Sequence, residues 1–396
     1  MTATERRFKI LIISHACALA ENQRLFSLAA SRRNWEVTLV IPSVWMSEYG
    51  RPLEATLLDG FNARLIPVPV VNNGKVPLHL YRTRPAKLIK SIAPDVVYSH
   101  NEPYAFSTIQ WCWGNRRSVN APFGFFSCQN IVKRYPVPFR QAERWVYRNS
   151  SFAFPITRTV DDVHRTKGFT GDSTILPLGF DSSLFPVRQR DANETDEFRF
   201  AYLGRVVEEK GLLTLVKALA ALADSRWRLE IFGSGPFETV VKRKAHELGI
   251  GDRLNWRGFV LQKDISTRLA QVDALVLPSE TRGNWKEQFG RVLIESLASG
   301  VPVVGSDSGE IPIIIHESGG GFIFREGNVE SCALALQRMM TDQEGRKRMA
   351  EDGERFVREE YHLSDLADRF AGKIEGIAGL SNAREQGVVK AESEHE

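Results

Sequence analysis

The chain has 396 residues, of which 43% are hydrophobic and 25% charged. That is the composition of a globular protein with a sizeable core, and it excludes a disordered chain, a fibre and a coiled coil. The net charge of +4 hides an asymmetry, because residues up to Phe185 carry 23 Lys/Arg against 13 Asp/Glu and the remainder 29 against 35; a basic half and an acidic half point to two domains with different partners.

The opening MTATERRFKILIIS has an apolar run of about six residues, shorter than the core of a secretory leader. No stretch approaches the roughly 18 apolar residues of a membrane-spanning helix. Cys17, Cys112, Cys128 and Cys332 form no C-x-x-C pair and read as reduced thiols, which places the protein in the cytoplasm. In chain order, FKILIIS (8–14), EVTLVIP (36–42), RLIPVPV (64–70), DVVYSH (95–100) and PFGFFS (122–127) read as strands, with helical spacing over 103–114 and 138–149. This alternation predicts a parallel sheet covered on both faces. The polar stretch PVRQRDANETDE (186–197) has no apolar period and reads as a linker between an N-terminal domain, 1–185, and a second domain, 198–360.

After the linker the pattern restarts with FRFAYLG (198–204), a helix from Gly211, WRLEIFG (227–233), a helix over 236–248, RLNWRG (253–258) and DALVLPS (273–279). A helix over 289–299, VPVVG (301–305), FIF (322–324) and amphipathic helices over 328–340, 344–358 and about 363–378 complete it. The tail 381–396 is polar and expected to fray.

Walker A, H-E-x-x-H and G-x-S-x-G motifs are missing, and Gly233-Ser-Gly235 followed by Glu238 is a weak dinucleotide signature. No aspartate lies two residues from another, so there is no D-x-D metal clamp. GRVVEEKG (204–211) directly follows a strand. It puts Arg205 and Lys210 at the carboxyl edge of a sheet beside a helix start, where two cations suit a diphosphate. In PSETRGNWKEQFGRVLIESLASGVPVV (278–304), Glu287 and Glu295 have E-x7-E spacing, as do Glu230/Glu238 and Glu351/Glu359. The middle pair follows a strand and runs into a helix, which predicts Glu287 near the helix start and Glu295 two turns on along the same face. Free N–H groups near Phe289 and Gly290 would then suit a phosphate, and the carboxylates would accept hydroxyl hydrogen bonds. KRYPVPFRQAERWVYR (133–148) interleaves five Lys/Arg with aromatics. It makes an anionic membrane surface a candidate partner, whereas no nucleic-acid motif accompanies it.

The strings YLGRVVEEKGLLTLVKAL, LEIFGSGPF, LNWRGFV and DALVLPSETRGNWKEQFGRVLIESLASGVPVVGSDSGEIP resemble, in order and spacing, the retaining GT-B glycosyltransferases of family 4, the glycosyl transferases group 1. The resemblance covers nearly all of the second half. It implies two Rossmann-like α/β domains facing each other across a cleft, a nucleotide-sugar donor in the second and an unknown acceptor in the first. It also implies a last helix, 361–380, that crosses back to the N-terminal domain, and transfer of sugar to a glycan, lipid-linked or small-molecule acceptor with retention and without a cofactor or metal. By the same resemblance Arg205 and Lys210 bind the diphosphate, Glu287 the sugar hydroxyls and Glu295 the ribose, while Gly204, Gly235, Phe259, Phe289 and Gly290 line the donor. Glu287→Gln would then leave binding of the bare diphosphate intact. Two positions depart from the pattern, Gln288 where glycine is usual and Ile313 where a second glutamate is usual. In the first half, His100-Asn101-Glu102-Pro103 is similar to an H-x-E-P segment of relatives, and Cys128-Gln129-Asn130 stands where a cleft histidine is common. The acceptor-side expectations are therefore His100, Glu102, Gln129 and Asn130, with no general base carried over. An epimerase of the same fold and a non-catalytic nucleotide-sugar binder remain alternatives, as does peripheral placement on the inner face of the membrane.

Overall fold

The structure is a computed structural model that describes residues 6–47, 50–186, 197–222 and 225–393, with side chains through Gly379. Residues 187–196, the body of the expected linker, lie outside the described residues. The chain divides into two compact units, Met1–Pro177 with Ser364–Glu396, and Leu178–Leu363.

The first unit holds a parallel seven-stranded sheet built from β1 (Phe8–Ile13), β2 (Trp35–Pro42), β3 (Ala63–Val68), β4 (Val96–Ser99), β5 (Phe123–Ser127), β6 (Phe152–Pro155) and β7 (Asp172–Ser173). Its order is β7-β6-β5-β4-β1-β2-β3. Strand FKILII is apolar throughout because both faces are covered. Ile10 and Ile12 face a cluster with Phe26 of α1 (Arg24–Ser31), while Leu11 and Ile13 face Ile89 of α2 (Pro85–Ile92) and Trp111 of α3 (Phe106–Arg116). Helices α4 (Phe139–Arg148) and α5 (Arg158–Thr166) complete the crossovers, and Thr157 starts α5 by accepting the Val160 N–H.

The final helix, Leu363–Ser393, runs through most of the segment expected as a tail. Its Leu366, Ala367, Phe370, Ala371 and Ile374 recur at helical spacing and are fully buried in the first unit's core. The Phe370 ring lies 5.1 Å from Phe154, 5.4 Å from Phe26 and 5.5 Å from Tyr98.

The second unit has a six-stranded parallel sheet of β8 (Phe198–Leu203), β9 (Trp227–Phe232), β10 (Leu254–Gly258), β11 (Ala274–Leu277), β12 (Val303–Ser306) and β13 (Gly321–Phe324), in the order β10-β9-β8-β11-β12-β13. Its helices are α6 (Leu212–Ala220), α7 (Glu238–Glu247), α8 (Ile265–Leu269), α9 (Arg291–Ala298), α10 (Ile311–Ser318), α11 (Val329–Thr341) and α12 (Gln343–Glu360). Residues 178–186 belong here rather than to the N-terminal domain. The Phe180 N–H donates to the Tyr361 carbonyl, the Leu363 N–H returns to that of Phe180, and Arg358 donates to that of Phe185. Composition shifts at 186, but backbone pairing sets the boundary at Pro177.

In each sheet the strand order reverses once, between β1 and β4 and between β8 and β11. At such a switch point the loops leaving the two central strands diverge and open a crevice at the carboxyl edge. Those loops are the segments the sequence singles out, 204–211 after β8, 278–290 after β11 and 100–103 after β4.

Phe370→Ala is expected to destabilise the first unit by about 3–5 kcal/mol, the cost of an emptied aromatic site. Urea unfolding followed by tryptophan fluorescence measures it, and a change under about 1 kcal/mol would mean that the final helix does not carry that core.

Candidate functional site

The switch point of the second unit is assembled by backbone on backbone. Gly211, at φ +66°, closes the turn that carries Lys210, and a Cβ there would lie 1.8 Å from the Pro278 carbonyl oxygen. Gly309, at φ +59°, approaches Glu287 so closely that a Cβ would lie 1.9 Å from its carbonyl oxygen. Only glycine fits either place. The loops after β8, β11 and β12 are thereby nested, and the Glu280 N–H donates to the Glu209 carbonyl at 2.8 Å.

This nesting brings two predicted residues together. Lys210 Nζ donates to Glu287 Oε2 at 2.7 Å, with side-chain exposures of only 15% and 9%. The Ser279 hydroxyl donates to the same oxygen at 2.6 Å, and the Lys210 ammonium sits 5.0 Å from the centre of the Trp285 ring. Trp285 is held by reciprocal backbone bonds with Arg282, at 2.9 and 2.8 Å. Arg282 pairs with Glu280, whose other oxygen accepts from Thr214 at 2.6 Å. Trp285 has no place among the sequence expectations; its signal is an aromatic in a polar stretch two residues before Glu287.

Arg205 follows Gly204 at the sheet edge, half-buried, and its carbonyl accepts the Tyr202 hydroxyl at 2.5 Å. Gly235 lies under the same loop, where a Cβ would meet the Val206 carbonyl oxygen at 2.2 Å. Phe259 is 41% exposed at the end of β10. Phe289 is buried against Tyr361, with ring centres 5.8 Å apart, so only its backbone is available to a ligand.

The two glutamates do not share a helix face. Helix α9 begins at Arg291 after Gly290, whose φ of +78° breaks the path from the preceding residues, so Glu287 stands in the loop before it. Glu295 is buried in α9, accepts from Gln262 Nε2 at 2.6 Å and lies 3.1 Å from Arg291 Nε. Burial pushes its carboxyl up, opposed by Arg291 and Gln262.

In the first unit, His100 is bonded through Nδ1 to the Tyr98 hydroxyl at 3.0 Å and packs on Phe126 at 4.2 Å; burial, with His15 nearby, pulls it down to about 3. Glu102 accepts the Ser127 hydroxyl at 2.5 Å and the Cys128 N–H at 2.7 Å, and burial pushes it up to about 7. The Gln129 N–H donates to Ser127 Oγ at 3.1 Å, and Asn130 is buried beside it. His15 and Asn101 have no role among the sequence expectations. Asn101 Oδ1 receives His15 Nδ1 at 2.5 Å while its amide nitrogen reaches the Ile13 carbonyl and Ser99, which joins the loops after β1 and β4 across that unit's switch point. A histidine directly after the first strand is the signal that could have found it.

A cavity of about 320 Å³ in the second unit is lined by Arg199, Arg228, Glu230, Asn255, Arg257 and Arg268 among others, and holds none of the expected site residues. Its charges largely pair with one another, Arg257 with Glu230 at 2.6 Å and Arg228 with Glu197 at 2.8 Å. Among the described residues no group of three or more His, Cys, Asp or Glu could hold a metal ion, and no helix is long and apolar enough to cross a membrane.

Residues 186–356 match the family described as Glycosyl transferases group 1. The match falls within the second unit. A GDP-mannose-dependent alpha-(1-6)-phosphatidylinositol monomannoside mannosyltransferase of Mycobacterium tuberculosis is 29% identical over 218 residues, 51% of this chain and 55% of that protein. The sulfoquinovosyl transferase SQD2 of Arabidopsis thaliana is 31% identical over 180 residues, 43% of this chain and 33% of that protein. The chain thus spans about half the length, or less, of these curated relatives. Among solved structures, sucrose-phosphate synthase of Thermosynechococcus elongatus superposes with a TM-score of 0.74 at 18% identity, covering 94% of this chain and 100% of that one. HepE of Anabaena in complex with UDP gives 0.72 at 14%, covering 94% and 100%. The fold is GT-B, with two Rossmann-like parallel-sheet units.

A carboxyl at about 7 in the folded chain and 4.5 when unfolded favours the folded state at low pH. Its contribution is complete below about 4.5 and is lost as pH rises through about 7. Glu102→Gln should remove this dependence. Wild type is expected to lose up to roughly 3 kcal/mol relative to the variant between those limits. Urea unfolding of both proteins at pH 4.5 and 8 measures the difference, and parallel pH profiles would mean that Glu102 titrates normally.

Proposed function

We propose that the protein is a glycosyltransferase that takes a nucleotide-sugar in its second unit and moves the sugar to an acceptor recognised by its first. The observation that carries this reading is the Lys210–Glu287–Ser279 constellation at the switch point, inside a Glycosyl transferases group 1 domain. A cation at the carboxyl edge suits a diphosphate, and a fixed carboxylate beside it suits sugar hydroxyls. Glu295, buried in the next helix, suits the ribose. The mannosyltransferase relative is named for GDP-mannose and HepE is described with UDP and UDP-glucose, so guanosine and uridine donors are the two to try first.

The chemistry asks the second unit to stabilise a leaving nucleoside diphosphate. As the bond from the anomeric carbon to the phosphate oxygen breaks, its electron pair passes to the diphosphate, where Lys210 and Arg205 meet the growing charge. No residue of the sequence is an evident covalent nucleophile. Retention therefore fits a front-face route in which the leaving diphosphate helps remove the acceptor proton. Two permanent cations and the missing D-x-D pair favour transfer without a divalent metal. Helix α4 exposes Arg140, Arg144 and Arg148 at helical spacing while burying Glu143, Val146 and Tyr147. This one-signed face supports peripheral contact with an anionic membrane on the cytoplasmic side.

Acceptor-dependent release of nucleoside diphosphate tests the reading, because an epimerase converts donor alone and a binder releases nothing. Arg205→Ala and Lys210→Ala should each lower kcat/KM about 10²-fold or more, and wild-type turnover should persist in EDTA. Near-normal turnover by both variants would sink the phosphate assignment, and a strict need for Mg²⁺ or Mn²⁺ would sink metal independence. In a separate co-sedimentation assay, replacing Arg140, Arg144 and Arg148 with Gln should abolish binding to phosphatidylglycerol vesicles. Equal binding by wild type and variant, or none by wild type, would remove the membrane from the account.

A further inference from the structure

Glu287 and Lys210 satisfy one another, and their surroundings decide which of them can let go. The Glu287 carboxylate is fixed from two sides. Ser279 and Lys210 both donate to Oε2, and its backbone is wedged by Gly309 and receives the Glu310 N–H at 3.3 Å. Lys210 has a long flexible stem, and while paired with Glu287 its ammonium already stands 5.0 Å from the centre of the Trp285 ring, a contact that does not depend on the carboxylate. Trp285 is itself braced through Arg282, Glu280 and Thr214. The lysine can move, and the carboxylate and the indole stay.

Because both side chains are largely shielded from water, their attraction is not the weak one of a surface pair. An arriving diphosphate meets a lysine already neutralised and a fixed negative charge beside it. A bare nucleoside diphosphate must draw Lys210 away from Glu287 and gives the carboxylate nothing in return. A nucleotide-sugar brings hydroxyl donors that take over the acceptor oxygens of Glu287 as Lys210 leaves.

We propose that Glu287 acts as an electrostatic gate that discriminates the intact nucleotide-sugar from the bare nucleoside diphosphate left after transfer, and that Trp285 is the positioning residue that keeps hold of the Lys210 ammonium when the gate opens. This rests on the donor site proposed above. It assigns the site a selectivity: the product of the reaction is the ligand the Lys210–Glu287 pair disfavours, which speeds its release. It also reverses the expectation from sequence that Glu287→Gln leaves diphosphate binding unchanged.

Calorimetry of the full chain with UDP and with GDP, at low salt and neutral pH, tests the proposal. Glu287→Gln should bind whichever diphosphate the site accepts about tenfold more tightly than wild type does. Glu287→Asp, which keeps the charge but withdraws it from Lys210 by one methylene, should gain less. Adding Trp285→Ala to Glu287→Gln should cancel most of the gain, and adding Trp285→Phe should preserve it. Melting curves with and without nucleotide guard against misfolding, and if Glu287→Gln does not fold, the Asp variant decides. Unchanged or weaker diphosphate affinity in the folded Glu287 variants, with wild type binding, would overturn the gate alone. Binding of neither nucleotide by wild type or variants would overturn the donor-site reading and the gate with it, whereas binding by Glu287→Gln only would support both.

Discussion

Two contacts between bare backbones fix the second unit's site. Gly211 lies against the Pro278 carbonyl and Gly309 against that of Glu287, each where a β-carbon would come within 2 Å of an oxygen. Real side-chain carbons do not approach so closely, and both glycines also sit at positive φ. Three loops leaving three different strands therefore occupy a space with no room for side chains. The side chains that do project from them, Lys210, Glu287, Ser279 and Trp285, are forced together. The 2.7 Å ion pair is a consequence of this nesting.

Holding a charged pair away from water is expensive, and a well-packed apolar pair of similar volume is often at least as stable. Its presence at a switch point, where open parallel sheets bind ligands, is best understood through the ligand. The first unit follows the opposite strategy. Its switch-point residues are held towards neutrality, His100 down at about 3 and Glu102 up at about 7, with burial as the main cause in both. Under the proposed reading this suits hydroxyl groups on an acceptor, as the cations of the second unit suit phosphate.

Legibility in the sequence followed the locality of the physics. The continuous apolar strands announced two doubly covered parallel sheets, and the restart at 198 announced the second of them, because burial on both faces leaves a mark in the strand itself. The loops 204–211 and 278–290 stood out through their glycines and charges. Helix α10 escaped because its isoleucine run favours a strand, while Pro312 in its first turn lets the helix begin. The short strand FAFP escaped for want of length. The shared face expected for Glu287 and Glu295 failed because Gly290 starts the helix after Glu287. The Lys210–Glu287 contact, 77 positions apart, and the His15–Asn101 contact, 86 apart, depend on strand order, which no local pattern encodes.

The most direct test of the central claim is a crystal structure of the chain with UDP or GDP bound. The account predicts diphosphate oxygens within hydrogen-bonding distance of Arg205 and Lys210, ribose hydroxyls on the Glu295 carboxylate, and Lys210 parted from Glu287 with its ammonium still against Trp285. A nucleotide seated elsewhere, such as the arginine-lined cavity beside β9 and β10, with the Lys210–Glu287 pair intact, would contradict it.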